Sequence, residues 1–216
     1  MSQPRLFGAA YSVYVRAVRL TFWEKRVSYR LREVDIFAPG GPPADYLARQ
    51  PFGRIPAFEH DGFHLYETAA ITRYVDEAFD GPPLQPDDAK PRARMNQIIG
   101  ILDSYAYRTL VWDIYVERVD VPREGRAADE AKIAAALPRA GICLDELTRL
   151  MDRSPFLAGD ALTLADLHAA PMFAYFLAAP EGTAMLAERP ALAGWWQRMA
   201  ARPGMAATRP SLNPIS

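Results

Sequence analysis

The sequence predicts an α/β first domain of order βαβαββα followed by an all-helical second domain, and three observations carry that reading. Strand-like and helix-like segments alternate up to residue 80. A proline-rich polar stretch, Gly81-Pro82-Pro83-Leu84-Gln85-Pro86-Asp87-Asp88, then has the composition of an interdomain linker. Beyond it only helical periodicity occurs. The expected divisions are residues 1–80, a linker at 81–90 and a helical domain at 91–216.

Each element has its own reason. Pro4-Arg5-Leu6-Phe7-Gly8 is a short apolar run ending at glycine, a first buried strand. Val15, Val18, Arg19, Phe22 and Trp23 recur at helical spacing, so helix one is expected over 12–25. Residues 27–36, rich in β-branched side chains and bounded by Pro39-Gly40-Gly41-Pro42-Pro43, read as a second strand and a loop, and 44–49 as a short helix at most. Residues 54–59 and 63–66 flank His60-Asp61-Gly62, and Asp-Gly is a strong hairpin signal because both turn positions tolerate positive φ. From Thr68, Ala70, Ile71, Tyr74, Val75 and Ala78 share one helical face. Further helices are expected over 91–119, 124–152, 164–178 and 192–201.

Composition narrows the function. Half of the 216 residues are apolar, enough for a sizeable core. Lys+Arg is 25 against Asp+Glu 26, which leaves no charge excess to hold a nucleic-acid backbone or an anionic membrane. The single cysteine, Cys143, excludes an intrachain disulfide, a thiolate zinc cluster and a C-x-x-C redox pair, and a reducing cytoplasm suits it. The apolar stretch 6–15 runs straight into Arg16 and Arg19 without a small-x-small cleavage site, so it reads as folded protein. The stretch 164–179 is interrupted by Asp166, His168 and Pro171, short of the roughly 18 residues a membrane span needs.

Three constellations have chemistry to offer. The first is Tyr11-Ser12-Val13-Tyr14, where strand one meets helix one. A hydroxyl at a helix N-terminus sits among unpaired N–H groups and the positive dipole end, a place that favours an anion such as a thiolate. A hydrogen bond to a charged group contributes about 1.5–3 kcal/mol, equivalent to lowering a thiol pKa by roughly one to two units. Ser12 reads equally as a plain N-cap with Val15 at N3, and local sequence leaves both readings open. The second is Gln50-Pro51-Phe52-Gly53-Arg54-Ile55-Pro56-Ala57: a cis turn at Pro56 would present the Ile55 backbone to an extended peptide, and an ordinary loop is the alternative. The third is Glu67-Thr68 at the junction of strand four and helix three. Thr68 reads as an N-cap, or with Glu67 as the grip on a ligand carrying both a carboxylate and an ammonium.

In this order and spacing the motifs resemble the N-terminal thioredoxin-like domain of the glutathione transferase family. The matches are 12–20 (Ser-Val-Tyr-Val-Arg-Ala-Val-Arg-Leu), 51–57 (Pro-Phe-Gly-Arg-Ile-Pro-Ala) and 66–71 (Tyr-Glu-Thr-Ala-Ala-Ile). The second domain agrees: 156–160 leads into Leu162-Thr163-Leu164-Ala165-Asp166-Leu167, similar to the family's helix-capping segment, and 195–203 is similar to its C-terminal pattern. Thr163-x-x-Asp166 also stands alone as a capping box, with Leu162 and Leu167 at the staple positions.

The resemblance implies a serine-type, bacterial-like enzyme with glutathione as co-substrate and no metal. Ser12 would be the donor to the thiolate, Ile55 the backbone partner of the cysteinyl unit before cis-Pro56, and Glu67 with Thr68 the contacts at the γ-glutamyl end, with Arg54 adding a polar contact. Three departures from the family pattern stand out: Val13 replaces a proline after the serine, Gln50 replaces an Asn before Pro-Phe-Gly, and no residue for the glycine carboxylate can be placed. Tyr11 and Tyr14 stay open as alternative donors. The resemblance implies an electrophile pocket between the domains, for which Tyr11, Tyr14, Phe37, Tyr105, Tyr107, Arg108, Trp112 and Tyr115 are candidates, core packing being the alternative for each.

The resemblance puts Phe52 where some classes insert an aromatic into a partner subunit, so a homodimer is expected, with loop packing an equal explanation of Phe52; the protein is further expected to be cytoplasmic and to act in detoxification, with no nucleic-acid or membrane partner. Conjugation to a hydrophobic electrophile is the expected reaction. Dehalogenation, ether cleavage, isomerisation and a non-catalytic binding protein are the alternatives. His60 and His64 straddle the hairpin and are expected as solvent-facing turn residues, a metal site being the alternative that would need a third ligand; His168 is expected as a packed helix residue and Cys143 as a small core residue.

Overall fold

A computed structural model describes residues 2–210. The first seven elements are β1 (Arg5–Phe7), α1 (Val13–Glu24), β2 (Arg30–Arg32), α2 (Ala44–Leu47), β3 (Ala57–His60), β4 (Phe63–Tyr66) and α3 (Thr68–Ala78), in the expected order. They form a four-stranded sheet of order β2-β1-β3-β4, with β1 parallel to β2 and antiparallel to β3, and β3 antiparallel to β4. Asp61 and Gly62 make the hairpin turn with φ of 49° and 79°. β2 is shorter than expected. A strand extends only while its neighbour offers ladder partners, and β1 ends at Phe7, just before Gly8, whose N–H bonds Arg32 O at 2.9 Å.

The apolar stripe of α1 and Ile71 and Val75 of α3 are buried together with Leu6 and Phe58 of the sheet. Phe22 is the hub of this core, stacking on Tyr29 at 4.6 Å and lying 6.2 Å from Phe58. At the far end of α1, Lys25 Nζ donates to Asp76 Oδ1 at 3.1 Å and to the Asp76 and Pro82 carbonyls.

The chain divides into two compact units, but not at one boundary: the described residues through Pro83 and from Pro203 onward form one, and Leu84–Arg202 the other. The expected helical domain ran to the C-terminus. Instead α10 (Pro203–Ala207) returns to α1. Arg16, buried on α1, donates to Met205 O at 2.9 Å, and Arg19 to Thr208 O at 3.2 Å. Gly204 lets the helices close up, since a Cβ there would lie 2.8 Å from Trp23 Cδ1. Residues 211–216 of that expectation lie outside the described residues.

The second unit holds α4 (Ala89–Ile101), a π-helix (Leu102–Asp120), α5 (Val121–Arg123), α6 (Glu130–Met151), α7 (Leu164–Phe176), α8 (Pro180–Ala187) and α9 (Pro190–Ala200). The helix expected over 91–119 is continuous, but after Ile101 it changes to i→i+5 bonding. Side chains five apart then meet: Arg108 Nε bonds Asp113 at 3.0 Å and Tyr115 Oη bonds Asp120 at 2.8 Å. α6 starts later than expected, capped by Asp129, which accepts from Lys132 N at 3.0 Å. α8 was not expected, although Pro at the first helical position is a start signal.

The capping box at α7 is present. Asp166 accepts at 2.8 Å from Leu157 N, Thr163 N and Trp195 Nε1, and at 2.9 Å from Thr163 Oγ1. No helix among the described residues is long and apolar enough to cross a membrane.

Candidate active site

Strand register gathers the three motifs. Ala57 pairs with Phe7 on one side and with Tyr66 on the other. The residues just outside the ladder, Gly8, Pro56 and Glu67, therefore share one end of the sheet. Gly8 is the close point. At φ +147°, a Cβ on it would lie 2.5 Å from Val15 Cγ2 and 3.1 Å from Ile55 Cβ, so the first turn of α1 and the residue before Pro56 flank it directly.

Ser12 is the N-cap of α1, with φ −64° and ψ 131°. Its Oγ accepts from Val15 N at 3.4 Å, so the capping reading holds in full. Capping and thiolate donation are compatible, because the cap consumes a lone pair and leaves the O–H proton free to point outward. Tyr11 is placed differently: its hydroxyl donates to Asp35 Oδ1 at 3.2 Å, an oxygen that also accepts from Phe37 N at 2.8 Å. That pair fixes the loop after β2. Tyr14 is half-buried on α1.

The Ile55–Pro56 peptide is cis. Ile55 is buried, and its backbone N–H and C=O make no hydrogen bond to another described residue. Two residues not singled out beforehand for this role organise the approach to it. Tyr46 Oη donates to Arg54 O at 2.5 Å, and Gln50 Oε1 accepts from Arg54 N at 3.1 Å. Burial pushes the Tyr46 hydroxyl pKa well up, which keeps it a donor. The Arg54 side chain is exposed.

Glu67, not Thr68, is the N-cap of α3. Its carbonyl accepts from Ile71 N at 2.9 Å, and its backbone sits at φ +71°, an uncommon conformation for a residue with a Cβ. The Glu67 side chain is exposed, while Thr68 opens the helix and is buried. A carboxylate at the site would therefore meet the α3 N-terminus, and an ammonium would meet Glu67.

The other candidates divide between the units. Phe37 is 58% exposed in the first. Tyr107 and Trp112 are half-buried on the π-helix. Tyr115 takes the packing alternative: it is buried, its ring lies 4.7 Å from Tyr175, and its hydroxyl is given to Asp120. Arg108 and Tyr105 line a cavity of about 930 Å³ between the π-helix and α6, together with Ile101, Ile142 and Cys143. Burial raises the Cys143 thiol pKa.

His60 corrects the solvent-facing expectation. It is buried against Phe79, with Nδ1 2.9 Å from the Tyr74 hydroxyl, whereas His64 is exposed. His168 is packed, with Nε2 2.7 Å from Asp103 Oδ1. Among the described residues no group of three or more His, Cys, Asp or Glu is arranged to hold a metal ion.

A thioredoxin-like sheet whose cis-proline loop, helix mouth and α3 entry share one end, together with a second, helical unit, defines a two-domain thioredoxin-like architecture. Residues 6–83 match the family model described as glutathione S-transferase, N-terminal domain, and residues 104–203 match glutathione S-transferase, C-terminal domain. Glutathione S-transferase F13 of Arabidopsis thaliana is 28% identical over 96% of this chain and 95% of its own length. A glutathione S-transferase of Hyoscyamus muticus is 30% identical over 92% of this chain and 94% of its own. The crystal structure of glutathione transferase F7 from Populus trichocarpa superposes with a TM-score of 0.83 at 29% identity, covering 95% of this chain and 97% of that one. The chain belongs to the glutathione S-transferase family, as a transferase with glutathione as co-substrate.

Proposed function

We propose that the chain conjugates glutathione to a hydrophobic electrophile, with Ser12 as the group that stabilises the thiolate. The observation that carries this reading is the Ser12 hydroxyl at the mouth of α1, whose oxygen is engaged by Val15 N and whose proton remains available. The glutathione S–H gives its proton to water, the Ser12 O–H donates to the sulfur anion, and the sulfur lone pair forms the bond to carbon as the leaving group departs. Ile55 pairs with the cysteinyl backbone, and Glu67 and the α3 N-terminus hold the γ-glutamyl ammonium and carboxylate. Arg54, exposed beside this segment, adds a polar contact.

The test is Ser12→Ala against Ser12→Thr. Ser12→Ala lowers kcat by more than about tenfold at neutral pH and raises the bound thiol's pKa, read from thiolate absorbance, while glutathione affinity changes little. An unchanged thiolate titration in Ser12→Ala moves the role to Tyr14 or Tyr11.

We also propose that the protein is a cytoplasmic homodimer. Phe52 is 68% exposed and meets Tyr66 edge to face at 6.0 Å, an exposed aromatic patch suited to packing against a second copy. Phe52→Glu would then shift the sedimentation coefficient to that of a monomer; an unshifted dimer overturns the assignment.

A further inference from the structure

We propose that Tyr46 is a positioning residue for glutathione, acting through the backbone of Arg54 on Ile55. This rests on the reading that Ile55 pairs with the cysteinyl unit. A backbone that recognises an extended peptide has no side chain to adjust, so its affinity depends on how well the neighbouring peptide units are held. Here the residue before Ile55 is held at both of its backbone polar atoms: the Tyr46 hydroxyl donates to Arg54 O, the carbonyl of the peptide unit that carries the Ile55 N–H, at 2.5 Å, and the Gln50 side chain accepts from Arg54 N at 3.1 Å. Both clamping residues are buried, at 3% and 2% exposure, so neither reaches a ligand itself.

The clamp is also closed on itself. Gln50 N bonds Tyr46 O at 3.0 Å and Gly53 N bonds Gln50 O at 3.1 Å, which makes residues 46–54 one hydrogen-bonded loop from α2 to the cis-proline. The Arg54 side chain is exposed outside this loop, so it is the backbone of Arg54 that the clamp serves. Tyr46 thus fixes where Ile55 offers its N–H and C=O, while the chemistry stays with Ser12.

Tyr46→Phe removes only the hydroxyl and keeps the buried ring. The expected result is a KM for glutathione, and a calorimetric dissociation constant, raised about fivefold, with kcat at saturating glutathione moved less than about twofold. An unchanged KM, or a fall in kcat alone, overturns the proposal.

A second measurement separates this from the underlying reading. Glutathione N-methylated at the cysteinyl amide loses the N–H it would donate to Ile55 C=O, and should bind wild type more weakly than glutathione does. If methylation costs wild type nothing, the Ile55 reading is wrong. If it does cost affinity, the cost must shrink in Tyr46→Phe, because the two changes act on one contact. An equal cost in both proteins shows that Tyr46 does not act through Ile55. Gln50→Met, which removes the other half of the clamp without changing side-chain length, should reproduce the KM effect.

Discussion

The indole N–H of Trp195 on α9 donates to Oδ1 of Asp166 at 2.8 Å, joining α9 to the first turn of α7 through a carboxylate with no measurable exposure. Burial pushes this carboxyl's pKa up, and the four donors around it pull the other way. Asp166→Ala strands two backbone N–H groups, an indole and a hydroxyl, and should cost about 4 kcal/mol or more. Trp195→Phe keeps an aromatic ring and should cost about 1–3 kcal/mol. Urea unfolding monitored by circular dichroism measures both, and equal losses would show that ring packing, not the carboxylate, dominates.

Gly8 sits where the sheet end, the α1 mouth and the cis-proline loop approach one another. Gly8→Ala must place a methyl 2.5 Å from Val15 Cγ2 in a backbone region that L residues rarely adopt. The expected loss is about 2–3 kcal/mol of stability together with weakened glutathione binding, as the Ser12 turn and Ile55 are pushed apart. Wild-type melting and affinity would refute it.

Lys25 and Asp76 form an ion pair with side chains only 3% and 7% exposed. Breaking one side is expected to be worse than replacing both. Lys25→Ala should cost about 3–5 kcal/mol, whereas Lys25→Met with Asp76→Leu should recover most of that. A double-mutant cycle in guanidinium gives the coupling, and simple additivity would mean that the pair contributes nothing.

Glu117 on the π-helix is held by Lys132 of α6, and the hydrogen bond from that ammonium keeps its carboxyl below the ordinary value of 4.5. The folded state therefore binds this proton more weakly than the unfolded chain does. Stability from the contact is complete above pH 4.5 and is lost as pH falls through the depressed folded value. Lys132→Met should flatten the acid limb of stability against pH in that window and leave the alkaline limb unchanged. An identical acid limb in both proteins would contradict the assignment.

What could be read from the sequence was what local chemistry decides. Asp61-Gly62 formed its hairpin turn and Thr163-x-x-Asp166 its capping box because each is complete within four residues. The Ser12 N-cap and the cis turn at Pro56 were legible because the junction types that present them lie in consecutive residues. Tyr46 was not, since its hydroxyl meets a main-chain carbonyl eight residues on, and no side-chain pattern marks such a bond. His60 was misplaced because its burial is supplied by Tyr74 and Phe79 at the end of the first unit's last helix before the linker. The π-helix escaped because a helical apolar face read at 3.6 periodicity does not register one extra residue per hydrogen-bonded ring.

The bond from Arg16 to the Met205 carbonyl spans 189 positions, and it makes the helical unit an insertion within the sheet-bearing one. A fragment cut after Pro83 would strip the guanidinium of that acceptor and bare the surface that Gly204 covers on Trp23. Modularity here follows topology: nicking the last few turns of the polypeptide injures the half that begins it.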